Sequence, residues 1–252
     1  RGENKWERIT WEEAYEDIAA HVREIWRDYG PESIVSMQGT GRNICWQTPY
    51  LSYAAFDSPN FVLGFLSGDA CYLPRTTIGH CIMGDFFVAD MSQHLEKRYA
   101  DPEYVYPEYI LNVGNNALVS NGDGFFGHWI VDVMKQGGTK LIVLDPSCTW
   151  LASKAEYWLQ VRPGTDAAVV LAMINVIIEE DLYDHEFVEY WCYGFDELAE
   201  RAREYTPEIA GQIAGVDPEL IRGAARAFAS GKPSTVQWGL KVDQTVCGIP
   251  LA

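Results

Sequence analysis

The chain lacks a C-x-x-C pair, an H-x-x-x-H pair, a long apolar run and any concentration of positive charge, and each absence removes a class of function. Six cysteines, Cys45, Cys71, Cys81, Cys148, Cys192 and Cys247, are scattered singly. That spacing encodes neither a zinc ribbon nor an iron–sulfur site, so a cysteine with a chemical task acts alone. The five histidines have no ligand spacing and read as structural or surface residues. No run of about eighteen apolar residues is present, the longest apolar helical stretch being broken by Asn175, so no transmembrane segment is expected. Cations are few, with 19 Lys and Arg against 36 Asp and Glu for a formal charge of -17. Nucleic acid is therefore not an expected partner, because phosphate binding needs a concentrated basic surface. Anionic ligands would have to be held by backbone N–H groups at helix N-termini. The plain account of the acidity is a solvated surface. No signal peptide is seen, but the chain opens at Arg1 without an initiator Met, so cytoplasm and periplasm both stay open.

What is present is enough for a substantial core: 252 residues, 48% of them hydrophobic, suffice for one large domain or two smaller ones. Thr10 and Glu13 make a T-x-x-E capping box, and Trp11, Tyr15, Ile18, Val22 and Ile25 recur at helical spacing until Gly30 and Pro31, which predicts a first helix. A short apolar run, 34–37, predicts a buried strand leading to the Gly39–Arg42 loop. The segment 104–144 reads as a βαβ crossover: strand Tyr109–Val113, helix 125–135, a stop at Gly137 and Gly138, and strand 141–144. A third apolar segment, 157–161, leads through Pro163, Gly164, Thr165 and Asp166 into a helix over 167–178. Further helices are predicted at 184–191, 195–204 and 218–230, then a strand at 235–238. Such alternation implies an α/β fold with a mostly parallel, Rossmann-like sheet and helices on both faces.

In parallel sheets of this kind ligands lie outside the carboxyl ends of the strands, and the least ordinary residues stand there. Gly114 permits close backbone approach, and Asn115 and Asn116 can hydrogen-bond a ligand, although a plain Asx turn uses the same residues. Asp145, at a strand tip, can accept both hydroxyls of a ribose or cap the following segment. Gly164, Thr165 and Asp166 open a helix whose free N–H groups suit a phosphate, with Asp166 able to accept from a guanine edge. On the residues alone an ordinary cap by Thr165, with Asp166 favourable to the helix dipole, is the preferred account. Gly122–Gly127 matches G-x-G-x-x-G, with Asp145 about twenty residues on as in a nicotinamide dinucleotide fold. The glycines should open directly off a strand, yet eight residues separate Val113 from Gly122, which argues against that reading. Cys71, in a loop-like segment ending at Arg75, would as a thiolate be a soft ligand for a heavy metal. A buried inert thiol is its bland alternative. Cys81 falls within a helical pattern around 76–88 and reads as core.

Taken in order, these pieces resemble the catalytic subunits of the dimethyl sulfoxide reductase family of molybdopterin oxidoreductases. The likeness covers nearly the whole chain. Its most specific part is Asp145, Pro146, Ser147, Cys148 and Thr149, then Ala155 and Glu156, then Arg162, Pro163, Gly164, Thr165 and Asp166, similar to the family's D-P-x-x-T, A-D and R-P-G-T-D series. Gly114–Asn116 is similar to its G-x-N-P loop, 56–60 to its G-S-P-N turn, and Cys71–Arg75 to the C-x-x-P segment that binds the metal. Ser147 departs from the family's frequent Arg, Glu156 from Asp, and Asp57 from Gly.

The resemblance implies a molybdenum or tungsten bis(molybdopterin guanine dinucleotide) cofactor. It implies Cys71 as metal ligand, with Cys71 and Arg75 as catalytic candidates, and Gly114, Asn115, Asn116, Asp145, Pro146, Ser147, Pro163, Gly164, Asp166 and Lys241 toward the cofactor. It implies that this is a middle portion, with an iron–sulfur cluster in a preceding domain and an electron-transfer subunit as partner of the whole protein. It further implies that 67–231 form a Rossmann-like domain inserted into a discontinuous α/β domain made of 1–66 and 232–252. The expected activity is redox or oxygen-atom transfer on a small substrate, with the isolated piece inactive. Non-redox hydration or hydroxyl transfer is the alternative within the family, and a non-catalytic nucleotide-binding module the alternative outside it.

Overall fold

Thr10 and Glu13 start the first helix, α1 (Trp11–Tyr29), by bonding reciprocally: Thr10 Oγ1 accepts from Glu13 N at 3.2 Å and Thr10 N donates to Glu13 Oε2 at 2.7 Å. The computed structural model describes residues 3–38, 46–63, 79–84, 102–120, 125–239 and 242. The chain divides into two compact units, Arg1–Gly68 and Asp69–Ala252.

In the first unit α1 is followed by β1 (Ser36–Gln38), α2 (Gln47–Tyr50), a π-helical turn over Leu51–Ala55, and β2 (Phe61–Leu63). β1 and β2 pair in parallel, Ser36 beside Phe61. The predicted strand therefore exists, beginning two residues later and ending one later, but it is not the buried strand expected, since Met37 is exposed and only Gln38 is buried. The connection is held by side chains: Ser58 Oγ donates to Ile34 O (2.5 Å), Asn60 Nδ2 to Glu32 O (2.5 Å), and Trp26 Nε1 to Phe56 O (2.9 Å). The apolar face of α1 is exposed at Trp11, Tyr15 and Ile18.

The second unit opens, among the described residues, with a π-helical turn over Gly79–Met83 inside the expected helix. Then come β3 (Tyr109–Val113), α3 (Ala117–Ser120), α4 (Phe125–Gln136), β4 (Lys140–Leu144), α5 (Trp150–Lys154) and β5 (Tyr157–Leu159). They are followed by α6 (Asp166–Glu179), α7 (His185–Trp191), α8 (Phe195–Arg203), α9 (Pro207–Ala214), α10 (Pro218–Ser230) and β6 (Ser234–Trp238). The four strands form one parallel sheet in the order β5-β4-β3-β6.

Side chains alternate across this sheet, as the period of two requires. Tyr109, Leu111 and Val113, with Ile142, Leu144 and Leu159, face a core built with α6, α9 and α10. Ile110, Leu141 and Val143 face a second core with Trp129, Ile130 and Val133 of α4 and Leu151 of α5. Helices thus cover both faces, and continuous burial on β3 explains why its sequence is an apolar run rather than an alternation. Each fully buried Leu, Ile or Val contributes about 1.5–3 kcal/mol.

Residues 232–252 were expected to return to the first domain. β6 instead pairs with β3 in register, Tyr109 beside Ser234 and Val113 beside Trp238. Without β6 the edge of β3 would carry a row of unpaired backbone groups, and β6 satisfies them. Four short helices, α2, α3, α5 and α9, were not predicted. α9 carries ordinary signals, a Thr206 cap that accepts from Ile209 N and Pro207 in the first turn.

Candidate functional site

Because all four strands run the same way, their carboxyl ends share one edge of the sheet. From β3 the chain winds outward through β4 to β5, then crosses the opposite face through α6 to α10 and places β6 on the other side of β3. The direction of winding therefore reverses between β3 and β6. Such a switch point opens a crevice outside the strand ends, the general ligand position of doubly wound sheets.

The loop after β3 lies at this crevice. Gly114 has φ 55°, in the left-handed region that glycine tolerates, and its N–H donates to Leu144 O at 2.9 Å. The buried Asn112 donates from Nδ2 to Asn115 O at 2.8 Å, and Asn115 Nδ2 donates to Trp238 O at 3.3 Å. Asn115, predicted to face a ligand, thus also ties the β3 loop to the end of β6. Gly239 N donates to Val113 O at 3.2 Å. A Cβ on Gly239 would stand 2.9 Å from Gly114 O and 3.1 Å from Asn115 Cβ, so the two loops approach to a distance that only glycine allows.

After β4, Asp145 is buried and its Oδ1 accepts from Ser147 N at 2.8 Å, which shapes the Asp145–Ser147 turn. Trp158 Nε1 donates to Asp145 O (2.9 Å) and Gln160 Nε2 to Pro146 O (3.1 Å), so the β5 side braces the same turn. The following helix α5 is capped by Thr149, whose Oγ1 accepts from Ala152 N, and not by Asp145.

After β5 the chain turns through Pro163 and Gly164, the latter at φ 86°, into α6. Thr165 does not cap that helix as expected. Its hydroxyl donates to Arg162 O at 2.7 Å, and no side-chain cap bond forms. Asp166 is instead the first-turn acid, 1% exposed, where the positive end of the helix dipole favours a carboxylate. Arg162 does not point toward the crevice chemistry either. Its Nη1 donates to Gln212 O and Ile213 O, both at 3.1 Å, at the last turn of α9, and its N–H donates to Ala214 O at 2.9 Å. A guanidinium there satisfies helix-end carbonyls.

The structure therefore brings Gly114, Asn115, Asn116, Asp145, Pro146, Ser147, Pro163, Gly164 and Asp166 to one edge of one sheet. Cys71, Arg75 and Lys241 lie outside the described residues, as do Gly122–Gly124. Among the described residues no three His, Cys, Asp or Glu side chains gather to hold a metal. The donor set at the strand ends is backbone N–H, amide and carboxylate, which suits a nucleotide rather than a bare cation. Asn112, Gln237 and Gly239 were missed by sequence reasoning. A polar residue inside an apolar strand, as in Ile110–Asn112–Val113, was the available signal.

Glu156 has a different place. At the opposite edge of the sheet Lys140 Nζ meets Glu156 Oε2 at 2.9 Å and Tyr109 OH at 3.3 Å, and Tyr109 donates to Glu156 Oε1 at 3.1 Å. The hydrogen bond to Glu156 is the chief cause holding the Lys140 ammonium above its ordinary range, while burial is the chief cause raising the Tyr109 phenol. A shallow apolar concavity of about 530 Å³ lies in the first unit, lined by Trp46, Thr48, Tyr50 and Leu51 among others.

The second unit is a doubly wound, parallel α/β domain that carries backbone N–H, amide and carboxylate groups at its switch point. The profile of the family described as molybdopterin oxidoreductase matches residues 1–242. The chain is 37% identical over 249 residues to acetylene hydratase of Syntrophotalea acetylenica, covering 96% of this chain and 31% of the relative. It is 31% identical over 236 residues to the thiosulfate reductase molybdopterin-containing subunit PhsA of Salmonella typhimurium, 94% of this chain and 28% of the relative. It is 29% identical over 267 residues to dimethyl sulfoxide reductase DmsA of Escherichia coli, 95% and 31% respectively. Among solved structures, acetylene hydratase from Pelobacter acetylenicus superposes with a TM-score of 0.69 at 34% identity, over 100% of this chain and 32% of that one. The chain belongs to the molybdopterin oxidoreductase family, whose members use a molybdenum or tungsten pterin cofactor. It spans about a third of the length of these relatives. No described helix is long and apolar enough to cross a membrane.

Proposed function

We propose that this chain supplies the nucleotide-arm cradle of a molybdenum or tungsten bis(molybdopterin guanine dinucleotide) enzyme that performs redox or oxygen-atom transfer on a small substrate. The observation that carries the reading is the convergence of the three strand-end loops, at Gly114–Asn116, Asp145–Ser147 and Pro163–Asp166, beside the β3–β6 switch point. Backbone N–H groups of these loops bind phosphate oxygens, which lets a chain of charge -17 hold an anionic cofactor. Asp166 accepts from the guanine edge and Asp145 from sugar hydroxyls. In this reading Cys71 is the metal ligand, Arg75 a further catalytic residue and Lys241 a cofactor-binding residue. The bound metal and pterins supply the electron or atom transfer, and the protein binds and orients them. An iron–sulfur domain and an electron-transfer subunit complete the whole protein in this reading.

Hydration without net redox is the second reading. Its support is the 37% identity to acetylene hydratase, against 31% and 29% to the two reductases. Metal and pterin analysis of the full-length protein, wild type against Cys71→Ala, tests the ligand assignment. Loss of metal with the fold retained is expected, and a full complement of Mo or W in the variant refutes it. The 252-residue piece alone is expected to hold no metal, and stoichiometric metal in it would contradict a cradle shared with other domains. Turnover of acetylene, thiosulfate and dimethyl sulfoxide by the full-length enzyme then separates the two activities.

A further inference from the structure

The segment between α6 and α8 turns aromatic side chains toward solvent. On α7, Phe187, Tyr190 and Trp191 stand at positions i, i+3 and i+4, which is one face of a helix. They are 57%, 68% and 79% exposed, and Tyr193, just past the end of the helix, is fully exposed. Single exposed apolar residues are ordinary, but three aromatic rings on one face, at about 150–250 Å² each, make a patch of several hundred Å², the size that marks an interaction surface. The surroundings carry one sign of charge. Residues 179–200 hold nine Asp and Glu and no Lys or Arg. Of these acids Glu179, Glu180 and Asp181 are engaged by Arg203, Arg226 and His185, and Asp184 caps α7 by accepting from Phe187 N at 2.9 Å. Glu186, Glu189, Asp196, Glu197 and Glu200 are exposed and make no ion pair among the described residues.

We infer that this face is an interdomain docking surface, covered in the whole protein by a further domain of the same polypeptide that sets apolar side chains against the rings and Lys or Arg against the surrounding carboxylates. Charge and length together select this occupant. A second copy of the chain would place the same acidic rim against itself across a two-fold axis, and like charges so placed repel. A basic-rimmed partner pairs the carboxylates instead. The chain itself has 19 Lys and Arg against 36 Asp and Glu. It spans about a third of the relatives it matches, so most of the polypeptide that could supply such a rim lies outside the matched region. The inference rests on the reading of this chain as one part of a longer enzyme, and not on which reaction that enzyme performs.

The experiment is hydroxyl-radical footprinting of the full-length protein, comparing oxidation of Tyr190, Trp191 and Tyr193 in the native and the urea-unfolded state. Free rings at the exposures seen here would oxidise at nearly the unfolded rate, whereas covered rings are expected to oxidise several-fold more slowly. Native rates equal to the unfolded ones overturn the inference. So does protection that disappears on dilution to the monomer or on removal of another subunit, because the occupant is then a second copy or a separate protein. A carbodiimide link from Glu186 or Glu189 to a lysine of the same chain outside residues 1–252 supports the assignment, and a link to a lysine within them contradicts it. Glu186→Lys combined with Glu189→Lys changes two exposed positions and leaves both cores intact. It is expected to raise oxidation of the rings several-fold, and unchanged protection in that variant overturns the basic rim. Metal and pterin content of the same samples separates this inference from the cofactor reading: unprotected rings with a full cofactor complement remove the docking surface alone, and protected rings without cofactor remove the cofactor reading alone.

Discussion

Replacing Gly239 by Ala tests the closest approach at the switch point. The new methyl carbon would lie 2.9 Å from Gly114 O, 3.1 Å from Asn115 Cβ and 3.2 Å from Asn115 Cα. Ordinary contact starts near 3.4 Å, so the Gly114 carbonyl has to retreat by about 0.5 Å, and two of the three obstacles are backbone atoms. The bonds bridging this gap are already long, at 3.2 Å from Gly239 N to Val113 O and 3.3 Å from Asn115 Nδ2 to Trp238 O. A further half ångström takes both beyond useful hydrogen-bond length. Overpacking of this kind costs about 1–3 kcal/mol, and the cost falls on the crevice rather than on the two cores. The expected result in the full-length protein is a several-fold loss of bound guanine nucleotide, with faster amide exchange over 112–119 and little change over 140–144. A Gly239→Ala protein with wild-type nucleotide content and wild-type exchange would refute the steric reasoning.

Arg162→Ala is expected to release the end of α9, because its guanidinium holds the Gln212 and Ile213 carbonyls. Arg162 is solvent-exposed, so screening reduces the loss to about 1 kcal/mol. Arg162→Lys recovers only part of it, because an ammonium lacks the fork geometry. Amide exchange over 209–216 reads the effect, and wild-type protection in the Ala variant would disprove it. Glu180 binds Arg226 through both oxygens, at 2.7 and 2.8 Å, and the Arg226 guanidinium holds its carboxyl below the ordinary range. A depressed carboxylate stabilises the fold above its unfolded pKa, and that contribution is lost as pH falls through the folded value. Acid unfolding of Glu180→Gln should therefore differ least from wild type at the lowest pH, and an equal difference at every pH would be the contrary result. The hydrogen bond from the Thr10 backbone likewise lowers Glu13, so α1 should fray as pH drops through the folded Glu13 value. Thr10→Val removes the Oγ1 acceptor and should fray the helix start already at neutral pH, as read by exchange over 11–15.

Much of the second unit was legible because its signals are local. An apolar pentapeptide such as Tyr109–Val113, followed by Gly114 and two asparagines, announces a strand and its end without reference to anything distant. The capping box of Thr10 and Glu13 is equally self-contained. Where the apolar face of α1 packs was not legible, and Trp11, Tyr15 and Ile18 are exposed among the described residues. The Thr165 cap failed because its hydroxyl found the Arg162 carbonyl, a competition between two local bonds that spacing alone does not decide.

By itself, then, the amino-acid order determined the parallel α/β class, the family, and the identity of the strand-end loops at Asn115, Asp145 and Asp166. All are encoded in runs of about five to fifteen residues, where backbone preference and side-chain period act over short range. Only the tertiary structure decided that β6 lies beside β3, that Gly239 closes on Gly114, and that Gln237 neighbours Asn112. Those facts depend on which strand edge is left unpaired when the chain has crossed the sheet. Residues more than a hundred positions apart meet there through hydrogen-bond satisfaction and packing, which no local pattern records.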